Sequence, residues 1–154
     1  MPCMPEVCSV EIDGLTLNYR DWGGLGQPLV LLHGLASNCR IWDLVAPIMT
    51  PKYRVVAVDQ RGHGKSSKPD YGYDFDSITN DLSAFISHMG FVRPIIIGHS
   101  WGASVALEYA ATYSQTISGI VLVDGGTMEL SSWSNMTLTR VKTDLAPPQF
   151  SGMT

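Results

Sequence analysis

Charge is sparse in this chain. Only 16% of its 154 residues are charged, ten basic against fourteen acidic, for a formal net charge of −4. That balance gives no electrostatic reason to expect nucleic acid or an anionic membrane surface as a partner. Cysteine is also scarce. Cys3, Cys8 and Cys39 make an odd count without the spacing of a disulfide framework, so they read as free thiols of a reducing cytoplasm. No two of the three cysteines and four histidines share a ligand-type spacing, and no metal site is expected. Long hydrophobic runs are missing as well. Stretches such as Pro94-Ile95-Ile96-Ile97 are far too short to span a bilayer. The opening Met1-Pro2-Cys3-Met4-Pro5-Glu6 has no basic region followed by an apolar one, so it does not read as a signal peptide. Repeats, charge blocks and low-complexity segments are absent. What remains, with 45% hydrophobic residues, is a globular composition of one-domain size.

Along the chain, residues 10–21 read as two strands around an Asp13-Gly14 turn. Pro28-Leu29-Val30-Leu31-Leu32 is continuously apolar, as suits a parallel strand buried on both faces. Ser37 or Asn38 can cap a helix carrying Ile41, Trp42, Leu44, Val45 and Ile48, closed by Pro51. Residues 53–58 form the next strand, and residues 59–70 a polar, glycine-rich loop. Asp76 can start a helix whose apolar positions Ile78, Leu82, Phe85, Ile86 and Met89 recur every three or four residues, with Gly90 ending it. Residues 95–97 are a short strand, 100–113 a helix, and 117–123 another strand, broken by Asp124-Gly125-Gly126. After one hairpin, strand and helix alternate three times. The expected class is therefore α/β, a mostly parallel sheet with helices on both faces. From Met128 to the end the pattern weakens and no further strand is legible.

In open α/β sheets, sites form at the carboxyl ends of strands, where three conspicuous loops fall. The sharpest is Gly98-His99-Ser100-Trp101-Gly102. A Gly-x-Ser-x-Gly match alone arises by chance roughly one time in twenty in a chain this long. Here it follows a buried strand and opens a helix, the setting that a nucleophile elbow requires. Such a serine adopts a strained backbone so that its hydroxyl projects above the sheet, and its neighbours two positions away must lack bulk. The helix start behind Ser100 offers the Trp101 N–H to a developing oxyanion. His33-Gly34-Leu35 is the natural second donor loop, with Gly34 letting the backbone turn so that the Leu35 N–H faces the elbow. His33 itself reads as a buried, hydrogen-bonded loop residue rather than a base. Gly64-Lys65-Ser66 imitates the end of a phosphate-binding loop, but that motif needs glycine where Asp59 stands. Nucleotide binding is rejected and no cofactor is expected. Asp59 and Arg61 are read as holding this loop by hydrogen bonds, with His63 structural.

Leu31-Leu32-His33-Gly34, the loop from Asp59 to Ser66, Gly98-His99-Ser100-Trp101-Gly102 and Val121-Leu122-Val123-Asp124-Gly125-Gly126 together resemble the α/β-hydrolase superfamily in order and spacing. The resemblance covers residues from about 8 to 126. It implies that residues 1–126 are strands one to six of an eight-stranded core, and that residues 127–154 begin a helical cap. The family's base is a histidine after the last strand, whereas the last histidine here is His99. His99, adjacent to Ser100, is expected to point away from it by strand alternation. Asp124 stands where some relatives carry the acid. Relatives with aspartate as nucleophile open epoxides or displace halide; Ser100 implies acyl transfer instead. The expected parent is a serine hydrolase of carboxylic esters, thioesters or lactones, acting on a small molecule. A carbon–carbon bond hydrolase, a perhydrolase and a non-catalytic binding domain are the alternatives. Without the base, the chain alone is expected to lose on the order of a million-fold in rate.

Overall fold

The computed structural model describes residues 4–126; the expected cap start at residues 127–154 lies outside them. The chain opens with a hairpin of β1 (Glu6–Ile12) and β2 (Leu15–Gly23), paired antiparallel in full register. Its turn residues Asp13 and Gly14 have φ of 49° and 80°, the left-handed pair that matches strand twist in a two-residue hairpin. Next come β3 (Gln27–Leu32), β4 (Tyr53–Val58), β5 (Ile95–His99) and β6 (Gly119–Val123). The sheet runs β1-β2-β4-β3-β5-β6. β4, β3, β5 and β6 are mutually parallel, and β2 joins β4 antiparallel.

Alternation along the central strands explains their unbroken apolar runs. Val30, Leu32, Val56, Val58 and Ile96 face one side, packing under Phe85 and Leu82 of α2 (Phe75–His88) and Val105 and Tyr109 of α3 (Trp101–Tyr113). Leu29, Leu31, Val55 and Ala57 face the other, against Trp22, Cys39, Trp42 and Ala46. Each buried Val, Leu, Ile or Phe side chain among these stabilises the fold by about 1.5–3 kcal/mol.

Two elements differ from the sequence reading. The helix expected from residue 38 onward is broken into a 3-10 turn, Cys39–Trp42, and a one-turn helix, α1 (Ala46–Met49). Pro47 is the cause, because it has no N–H for the Asp43 carbonyl one turn earlier and its ring crowds that oxygen. The chain uses i to i+3 bonds instead, from Val45 N–H to Trp42 O and from Ile48 N–H to Val45 O. Of the apolar residues assigned to that helix only Trp42 is buried; Ile41, Leu44, Val45 and Ile48 are exposed. The second difference is the start of α2. Its cap is Asp74, whose carboxylate accepts from the Ser77 N–H at 2.8 Å, not Asp76. Gly90 does end the helix, with φ 64°: Gly90 N–H reaches Ser87 O and Phe91 N–H reaches Ile86 O, the paired bonds of a Schellman motif.

Candidate active site

The four parallel strands end at one edge of the sheet, so the loops after β3, β4, β5 and β6 meet there. Ser100 sits between β5 and α3 with φ 50° and ψ −114°. No ordinary residue favours that conformation, and holding it costs about 1–3 kcal/mol. The surroundings over-determine it. Ser100 N–H donates to Val123 O at 2.9 Å, and Ser100 O accepts from Ala103 N–H at 2.9 Å. A Cβ on Gly98 would lie 2.1 Å from Gly102 O, and one on Gly102 would lie 2.6 Å from both Leu32 O and His33 O. Strand, helix and the loop after β3 therefore touch only because both positions are glycine. The Ser100 side chain is half-buried, not sealed in the core.

Sequence reading missed Gly125 as part of this arrangement. A Cβ there would fall 2.5 Å from Ser100 O and 2.7 Å from Ser100 Cα. The contact depends on the β5–β6 register, which no local motif announces. Asp124, the candidate acid, is exposed at the end of β6 with φ 50°. Among the described residues its carboxylate makes no hydrogen bond or ion pair.

Trp101 is the first residue of α3, so its N–H has no acceptor within the helix. Its indole stacks on Phe75 at 4.9 Å and 23°. Leu35 lies in the loop after β3 with its side chain exposed, and its N–H has no hydrogen-bond acceptor among the described residues. Gly34 is closely packed rather than turned. A Cβ on it would meet His99 Nδ1 at 3.1 Å and Ser100 Cβ at 3.2 Å, while the left-handed residue of this loop is Ala36, at φ 55°.

All four histidines fall within the described residues, and none has a nitrogen hydrogen-bonded to Ser100. His33 is fully buried, with Nδ1 2.7 Å from Gly34 O and Nε2 accepting from the Gln60 N–H at 3.1 Å. Burial pushes its pKa down, more strongly than the Gly34 carbonyl raises it. His63 lies against it with ring centroids 5.0 Å apart, and its Nδ1 bonds Arg61 O at 2.9 Å. His99 is half-buried against Gly34, and its Nδ1 has no hydrogen-bond partner among the described residues. His88 is in the last turn of α2.

The loop after β4 is built on Asp59. Its buried carboxylate accepts from Cys39 N–H at 2.7 Å, Asn18 Nδ2 at 2.8 Å and Lys65 N–H at 2.9 Å. Burial works against ionisation, but the Cys39 and Lys65 N–H groups, the Cys39 thiol and Asn18 outweigh it and hold the carboxyl below the usual aspartate range. Burial, and then the same carboxylate, push the Cys39 thiol up. A Cβ on Gly64 would collide with Asp59, which explains the glycine without any phosphate. Arg61 forks onto Asp81 of α2 with two bonds of 2.7 Å, tying the loop to the helix layer. Among the described residues no cluster of His, Cys, Asp and Glu could hold a metal, and no helix is long and apolar enough to cross a membrane.

A model of the family described as alpha/beta hydrolase fold matches residues 27–152. The 2-(acetamidomethylene)succinate hydrolase of Mesorhizobium japonicum is 33% identical over 115 residues, 75% of this chain and 41% of that protein. A soluble epoxide hydrolase of Corynebacterium is 35% identical over 113 residues, 73% of this chain and 39% of its own length. Among solved structures, Cfl2 from Burkholderia cenocepacia superposes with a TM-score of 0.76 at 28% identity, over 79% of this chain and 42% of that one. The chain thus spans about two fifths of the length of the relatives it matches.

Proposed function

This chain belongs to the alpha/beta hydrolase fold family, and on that premise we propose that it is the N-terminal part of a serine hydrolase acting on small-molecule carboxylic esters, thioesters or lactones. The observation that carries the reading is the backbone of Ser100, held at φ 50° and ψ −114° between β5 and α3 by glycines and a bond to Val123 O. Ser100 Oγ bonds the carbonyl carbon as its proton passes to the base, and the N–H groups of Leu35 and Trp101 stabilise the oxyanion; the substrate's C–O or C–S bond then breaks, the alcohol or thiol takes that proton, and water hydrolyses the acyl-enzyme to the acid and free Ser100. The relatives named above differ in the bond they act on, so likeness alone does not choose the reaction. A serine at the elbow favours acyl transfer, because an alkoxide attacks carbonyl carbon well. Asp124 is proposed as the acid. The base comes from outside this sequence, since both nitrogens of His33 are committed and no other histidine bonds Ser100. Free thiols at Cys8 and Cys39 suit a cytoplasmic location.

Incubating the purified chain with p-nitrophenyl acetate, beside a Ser100→Ala control, tests the reading. We expect turnover reduced on the order of a million-fold relative to a complete triad, with an acetyl group that persists on Ser100 because deacylation also lacks its base. Robust turnover that vanishes in Ser100→Ala would refute the missing base. Acetyl found only on other residues would refute the nucleophile.

A further inference from the structure

We propose that His33 is a positioning residue for the oxyanion site: its ring clamps the Gly34 carbonyl and thereby aims the Leu35 N–H. The inference rests on the reading of Leu35 as an oxyanion donor. Proton positions on the ring follow from its neighbours. The Gln60 backbone N–H can only donate, so Nε2, 3.1 Å away, must present its lone pair. Nδ1 therefore carries the hydrogen and donates it to Gly34 O at 2.7 Å. The imidazole is held neutral, as a single tautomer.

The bond matters because of what shares its peptide plane. The Gly34 carbonyl and the Leu35 N–H belong to one planar trans unit, so they point in opposite directions. Fixing the oxygen fixes the hydrogen. Gly34 needs such a clamp, since a glycine explores more backbone conformations than any other residue and its peptide can flip. It abuts the elbow directly, with Ser100 Cβ 3.2 Å from where its own Cβ would be. The clamp is itself anchored. Gln60 Nε2 donates to His33 O at 2.7 Å, so Gln60 grips both the ring and the backbone of His33. The ring is 0% exposed, which removes water as a competitor for the Gly34 carbonyl. The signal was non-local: His33 follows β3 and Gln60 follows β4, and only the parallel register that pairs Leu32 with Val58 brings them together.

Two measurements on the whole chain test this. Nitrogen NMR of the His33 ring at neutral pH is expected to show a protonated Nδ1 and a bare Nε2; a proton on Nε2 overturns the clamp. The second is the rate of Ser100 acetylation by p-nitrophenyl acetate in two variants. His33→Asn offers an N–H where Nδ1 lies, whereas His33→Gln moves it outward to the Nε2 position. We expect His33→Gln to slow acetylation by about a hundredfold, with half-saturating ester concentration unchanged, and His33→Asn to restore the parent rate. Equal impairment of both variants would mean a merely structural role and sink the proposal. Should His33→Gln not fold, the Leu35 amide resonance of folded His33→Asn decides, a parent-like shift supporting the clamp and a displaced one overturning it. If the parent chain takes no acetyl on Ser100, the hydrolase reading falls, while the ring tautomer and the Leu35 resonance still judge the clamp.

Discussion

Single atoms decide whether this site exists. Gly125 has no room for a methyl group beside Ser100 Cα and O, so Gly125→Ala must push β6 away or distort the elbow. We predict a loss of about 1–3 kcal/mol, the usual cost of overpacking. Gly119→Ala, with nothing within 4 Å of the added carbon, should stay within about 0.5 kcal/mol; urea melts of the pair check this. Acid should also act through individual residues. Burial holds His33 neutral in the folded chain, so below its ordinary value of about 6.5 the unfolded chain binds the proton more readily and stability falls as pH drops. Asp59, held below the usual range, has the same sign of effect further into acid: its contribution is present above about pH 4 and lost as pH falls through the folded value. Melts between pH 7.5 and 5.5 should show the first slope, and His33→Asn should flatten it.

At the scale of elements, strands were the most legible feature. Leu29 to Leu32 and Val55 to Val58 are apolar on both faces because both faces are covered. The Ser100 turn was legible too, since its glycines and its strand–helix setting are local. Residues 39–49 were not, because their apolar spacing imitates a helix while Pro47 forbids one. The start of α2 was misplaced at Asp76, two residues after its true cap, Asp74. Only the reach of a side chain to the N–H three residues on separates them, and that distance selects Asp74. Asp74→Ala should therefore lower the unfolding midpoint and Asp76→Ala should not, by thermal melts. Gly125 and the His33–Gln60 clamp were hidden for another reason. Each depends on strand neighbours that meet only once the sheet order is known.

For the molecule as a whole, the sheet ends among the described residues at β6, whose only strand neighbour is β5 and whose Val121 and Val123 are 45% and 39% exposed. Such an apolar edge invites pairing with another chain. Val121→Lys is expected to reduce aggregation of the purified chain in light scattering, leaving its melting midpoint nearly unchanged. The same sheet gives the site its shape: four parallel strands deliver the His33, Asp59, Ser100 and Gly125 loops to one edge, and the strain at Ser100 is tolerable only because that frame is rigid. Reactivity at this hydroxyl should therefore belong to the folded chain alone. Reaction with an alkyl fluorophosphonate, followed by peptide mapping, measures this. The label is predicted on Ser100 in the native chain and absent once urea has unfolded it; a label on other residues, or equal labelling of Ser100 in the unfolded chain, would contradict the account.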